Sequence, residues 1–149
     1  MGKKLTIALA GLGNRGKDAY APVTKLFPEE MEIVAIADID PAKVEEVAKN
    51  YNVAPEKCFS SAEELIAQDK LADVMFITTQ DRQHVAQAIP ALRKGYDLLL
   101  EKPISPDLDE CREIVKVAKE CNRKVVVCHV LRYTPVSYTH LRAHETLAN

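Results

Sequence analysis

The 149-residue sequence contains no tryptophan, and aromatic residues make up only 5% of it. Its core must therefore come from aliphatic side chains, and at 47% hydrophobic the chain has enough of them. Neither sign of charge dominates: 20 Lys+Arg face 22 Asp+Glu, a formal net charge of −2. The missing basic stripe argues against a dedicated nucleic-acid binder. No apolar run approaches the roughly 18 residues needed to span a membrane. Cysteines are few: Cys58, Cys111, Cys121 and Cys128, with no C-x-x-C. That spacing suggests neither a zinc cluster nor a disulfide framework, and reduced thiols fit a cytoplasmic protein. No metal site is expected.

What is present alternates strand and helix signals. The length suits one α/β domain. Short apolar runs predict strands over Leu5–Ala10, Glu32–Ala37, Lys57–Phe59, Asp73–Thr79, Tyr96–Leu100 and Lys124–Val130. Helices are expected over Lys17–Phe27, Pro41–Asn50, Ala62–Gln68, Arg82–Lys94 and Pro106–Cys121, with disturbances at Pro22 and Pro90. Asp40-Pro41 supplies an N-cap and a first-turn proline, and Ser60 and Ser61 with Glu63 and Glu64 form overlapping capping boxes. Continuous apolar strands separated by helices imply a doubly wound parallel sheet of the Rossmann type, covered on both faces.

The N-terminus carries two targeting outlines. Met1–Lys4 followed by Leu5–Ala10 has the shape of a short signal peptide, but the run leads into a glycine loop without a cleavage site. Gly2 with Thr6 fits an acylation pattern, yet Thr6 falls within a strand.

Gly11-Leu12-Gly13-Asn14-Arg15-Gly16 is G-x-G-x-x-G between a strand and a helix. The first glycine permits the turn, the second admits a pyrophosphate, and the third lets helix and strand pack closely. Asp38 closes the second strand, 22 residues after Gly16, where a ribose-binding acid belongs. A carboxylate there favours NAD, with NADP possible. Arg15 either meets a 2′-phosphate or points to solvent. A glycine-rich turn with a helix-capping Asp, or a methyltransferase using S-adenosylmethionine, is the alternative.

Glu101-Lys102-Pro103 follows the fifth strand, at the carboxyl end where ligands bind in such sheets. Lys102 there can hold a substrate hydroxyl and exchange its proton. Glu101 can orient Lys102 or the nicotinamide ribose, and Pro103 can fix the turn through a cis bond. A surface lysine in a polar turn is the bland alternative.

GLGNRG, ITTQDRQH, LLLEKPIS and HVLRY, in this order, resemble the Gfo/Idh/MocA oxidoreductases over about residues 4–135. The resemblance implies an NAD(P)-binding Rossmann domain and hydride transfer on a sugar or polyol. It implies Lys102 as the catalytic lysine. It maps Gly11, Gly13, Asn14, Arg15, Gly16, Asp38, Thr78, Thr79, His84, Glu101 and Lys102 to the cofactor site. Arg132 and Tyr133 join Lys102 near the substrate. Thr79-Gln80 stands where family members often have Thr-Pro. His84 reads as cofactor-proximal rather than as a mere helix start. His129, in the sixth strand, reads as a packed core residue. The resemblance also implies a homo-oligomeric full-length protein. A non-catalytic dinucleotide-binding or sensor module is the competing function.

From Val136 the family pattern breaks off, before the second α/β domain that carries substrate contacts. His140 and His144 share a helical face, but Val136–Thr146 reads as a translated sequencing-library adapter, not a metal site. The expectation is a nucleotide-binding domain over 1–135 and a foreign tail over 136–149.

Overall fold

The computed structural model describes residues 2–129; the expectations for Arg132, Tyr133 and the 136–149 tail lie outside them. Six strands form one parallel sheet: β1 (Leu5–Ala10), β2 (Met31–Ala37), β3 (Cys58–Phe59), β4 (Val74–Ile77), β5 (Asp97–Glu101) and β6 (Val125–Cys128). Their spatial order is β3-β2-β1-β4-β5-β6, the doubly wound order expected. The order reverses between β1 and β4, so a crevice opens beyond the carboxyl ends of those two strands.

Alternation along β1 sorts the core onto both faces. Ile7 and Leu9 point to one side with Leu12, Ala21, Ile36 and Val47. Ala8 points to the other with Ala35, Met75, Ile77, Leu92 and Leu98. The expectation of burial on both faces fails at the sheet edge: β6 is half-buried and Val126 is 60% exposed. An edge strand has one neighbour only, so its apolar run is not enclosed. His129 is corrected too: it lies beyond β6 and is exposed. Among the described residues no helix is long and apolar enough to cross a membrane.

The helices are α1 (Ala21–Leu26), α2 (Pro41–Tyr51), α3 (Ala62–Ala67), α4 (His84–Arg93) and α5 (Leu108–Glu120). Asp40 caps α2, accepting from Ala42 N at 3.0 Å, and left-handed Asn52 ends it. Ser61 caps α3, while Glu64 reaches back to Ser60 N at 2.9 Å. Asp107 caps α5 and accepts from Asp109 N at 2.7 Å, so that helix starts later than expected. The first helix starts earlier, at Asn14, with a π turn over Asn14–Tyr20 running into α1. The wide turn closes with Ala21 N–H donating to Gly16 O, directly before Pro22, which has no N–H to offer.

Candidate functional site

The glycine loop leaves β1 at the switch point, and its three glycines do different work. Gly11 has φ +93°, and a Cβ there would lie 2.7 Å from the Thr78 carbonyl carbon. Gly16 packs beneath it: a Cβ would stand 2.7 Å from Thr78 Oγ1. At Gly13 a Cβ would meet nothing within 4 Å. That open side is where a bound group can approach the backbone at the start of a helix, whose free N–H groups favour anions.

Gly11, Gly13, Asp38, Thr78 and Thr79 line one cleft of about 220 Å³, so five of the expected residues meet there. Asp38 Oδ2 accepts from Leu12 N at 2.5 Å and Oδ1 from Asp40 N at 2.9 Å. Each oxygen retains a further lone pair for a hydroxyl. Thr78 Oγ1 lies 2.6 Å from Gly11 O and braces the loop. Thr79 Oγ1 donates to Gln87 Oε1 at 2.6 Å, and Gln87 Nε2 donates to Glu63 Oε1 at 2.8 Å. The Gln87 bond, foremost, holds the Glu63 carboxyl below its ordinary value.

Glu63, Gln87, Ile39 and Lys43 also line this cleft, and the sequence reading missed all four. Ile39 is 86% exposed, an apolar surface at the rim. The D-I-D-P run after β2 could have flagged Ile39; no local signal marks Gln87 or Glu63 as partners.

Other expected residues stand outside the cleft wall. Asn14 is exposed at the helix start. Arg15 is exposed, as one of its two expectations has it, and its Nε lies 3.7 Å from Glu101 Oε1. His84 does begin α4, but its ring is fully buried. Its Nδ1 lies 2.7 Å from Pro103 O and its Nε2 3.2 Å from Thr79 O. The ring therefore ties the loop after β4 to the turn after β5, behind the cleft. Glu101 is buried at the end of β5; Lys102 follows it, exposed, in a turn with a cis Lys102–Pro103 bond. Among the described residues no cluster of His, Cys, Asp or Glu is placed to hold a metal ion.

Known proteins match this arrangement. The model of an oxidoreductase family with an NAD-binding Rossmann fold matches residues 5–129. The trans-1,2-dihydrobenzene-1,2-diol dehydrogenase of Sus scrofa is 31% identical over 133 residues, which are 87% of this chain and 39% of that protein. The inositol 2-dehydrogenase of Corynebacterium glutamicum (strain R) is 28% identical over 142 residues, 95% of this chain and 41% of that one. The chain thus spans about two fifths of these relatives' length. Among solved structures, the WlbA dehydrogenase of Bordetella pertussis, in complex with NADH and UDP-GlcNAcA, shares the fold. Its TM-score is 0.83 at 23% identity, covering 97% of this chain and 42% of that one. An oxidoreductase from Thermotoga maritima gives a TM-score of 0.82 at 25% identity, covering 97% and 44%. The crevice at the switch point, the glycine loop with Asp38 in the same cleft, and the match over 5–129 agree: the chain belongs to the Gfo/Idh/MocA oxidoreductase family and carries that family's NAD-binding Rossmann domain.

Proposed function

We propose that this chain is the nucleotide-binding part of an NAD-dependent oxidoreductase acting on a hydroxyl or carbonyl carbon of a sugar or polyol. The observation that carries this is one shared edge of the sheet. The glycine loop ends β1, Asp38 follows β2, and the exposed Lys102 turn follows β5. All three strands are parallel, so all three features lie beyond carboxyl ends. When bound, the nicotinamide supplies or accepts the hydride.

The chain's own residues divide the remaining tasks. Gly13 leaves room for the pyrophosphate at the helix start. Asp38 accepts from the ribose hydroxyls with its remaining lone pairs and repels a 2′-phosphate. Ile39 offers its exposed side chain to the adenine face. Lys102 holds the substrate oxygen through its ammonium and exchanges a proton there as the carbon changes oxidation state. Arg132 and Tyr133 are assigned to the substrate side of Lys102.

The diol dehydrogenase and inositol dehydrogenase relatives support a polyhydroxylated substrate. We further assign the nucleotide-binding domain to residues 1–135 and the 136–149 segment to adapter-derived sequence, which the nucleotide read across codons 130–149 tests. The four free thiols fit a cytoplasmic location, and homo-oligomerisation is assigned to the longer protein.

Calorimetry on the 149-residue chain tests the cofactor assignment. NADH is expected to bind and S-adenosylmethionine is not; the reverse would refute the oxidoreductase reading in favour of a methyltransferase. In the longer protein, Lys102→Met should abolish turnover while NADH still binds. Undiminished turnover in that variant would refute the role of Lys102, and a native protein that binds NADH without any turnover would leave the sensor-module reading in its place.

A further inference from the structure

Tyr20 has no part in the cleft, yet it reaches the centre of the site. It ends the π turn that follows the glycine loop, and wide turns of this kind are frequent at functional sites. Its hydroxyl donates to Glu101 Oε1, from the first helix to the end of β5, between residues 81 positions apart. Glu101 Oε2 accepts from the Lys102 backbone N–H at 3.0 Å. Arg15, from the same π turn, brings Nε to 3.7 Å from Oε1. The Glu101 side chain is only 6% exposed, and a buried carboxylate needs such compensation. The Tyr20 ring stands edge-on against Phe76, with centroids 6.1 Å apart, which fixes where the hydroxyl points. Burial, first, then the neighbouring Cys128 thiol and the Glu101 carboxylate push the Tyr20 hydroxyl well above its ordinary value. It therefore stays a donor at any working pH.

We propose that Tyr20 is a positioning residue for the Lys102 turn. It fixes the Glu101 carboxylate, which fixes the Lys102 main chain, so that the glycine-loop helix and the lysine turn move as one unit. Arg15 and Tyr20 both come from the turn that opens on the phosphate side, so cofactor binding and lysine placement share one brace. The catalytic consequence rests on the role proposed for Lys102 above; the brace does not. It also gives Glu101 its function: a clamp on the neighbouring peptide, held from the first helix.

The test uses the 149-residue chain with NADH as the probe. Tyr20→Phe removes one oxygen and keeps the ring against Phe76. Amide exchange followed by NMR is expected to become about tenfold faster at Lys102 in that variant. The amides of Leu98 and Leu100, within β5, should keep their native rates. NADH should slow exchange at Lys102 in the native chain and fail to do so in Tyr20→Phe, although it still binds.

Glu101→Ala removes both acceptor oxygens and should loosen Lys102 in the same way. It keeps the test decisive if Tyr20→Phe does not fold. Native exchange at Lys102 in the folded variants overturns the proposal. So does uniform acceleration along β5, which would make Tyr20 a general packing residue. Turnover of Lys102→Met is a separate measurement, so the brace and the role of the lysine can fail independently.

Discussion

Gly16 lies so close beneath Gly11 that a Cβ on Gly16 would stand 2.0 Å from the Gly11 carbonyl oxygen. Neither partner can yield, because both are main chain at the foot of the glycine loop. Gly13 is different, since its missing side chain leaves open space. Two glycines of one motif thus differ in what surrounds them, and we assign packing to the one and room for the cofactor to the other.

Gly16→Ala should therefore lose stability by about 1–3 kcal/mol, the usual range for overpacking. Gly13→Ala should unfold at close to the native midpoint yet bind NADH at least about tenfold more weakly, one lost interaction of roughly 1.4 kcal/mol. Thermal melts with and without NADH check both. Equal destabilisation by the two variants would contradict the division.

Asp38 holds its own loop together as well as facing the cleft, through Leu12 N and Asp40 N. Asp38→Asn keeps one acceptor oxygen and the shape, but loses the charge. Its NADH affinity should fall by about tenfold, the scale of a charge-assisted hydrogen bond. Its NADPH affinity should fall less or rise, since the repulsion of a 2′-phosphate is gone. Calorimetric titration with each nucleotide measures the ratio. A selective loss of NADPH would refute the ribose contact.

Gln87 is 2% exposed and satisfies both Thr79 and Glu63. Gln87→Leu leaves these two polar groups without their partner at the cleft wall. Glu63 and Thr79 both keep access to water, so the expected cost is about 0.5–1.5 kcal/mol of folding stability, read from urea unfolding at neutral pH. A variant as stable as the native chain would show that water replaces both bonds.

Asp73 anchors the N-terminal segment, accepting from Lys3 Nζ at 2.7 Å, Thr6 N at 3.2 Å and Thr6 Oγ1 at 2.9 Å. The Lys3 bond, first, and the Thr6 bonds hold its carboxyl at about 2, below the ordinary 3.8. The folded state therefore binds the Asp73 proton less readily than the unfolded chain. Its contribution to stability is fully present above the ordinary value and is lost as pH falls from there towards about 2. Melting midpoints of the native chain and Asp73→Asn, taken across that window, should converge at its acid end. Parallel curves would contradict the anchor.

Local signals carried much of the fold. The apolar run Leu5–Ala10 matches β1 to the residue, and Asp40-Pro41 marks the start of α2 because an N-cap acts on amides two residues away. The first helix was misjudged because the glycine loop starts it at Asn14 and its wide turn leaves no periodic mark. The apolar strand pattern extends to His129 and suggests a core residue, whereas the edge strand ends at Cys128 and leaves His129 exposed.

The alternation of strands and helices that makes a doubly wound parallel sheet, the glycine loop, and the position of Asp38 at the end of the second strand are all written in the chain itself. Each rests on backbone chemistry or on a periodicity that a short stretch carries, and the strand–helix–strand unit sets the 22 residues between Gly16 and Asp38. Packing set the rest: Arg15 Nε comes near Glu101, Tyr20 donates to it, and His84 joins Thr79 to Pro103. Each of these pairings joins side chains on separate elements. A buried polar group takes whichever partner packing brings within reach, and that choice is made only when the elements meet.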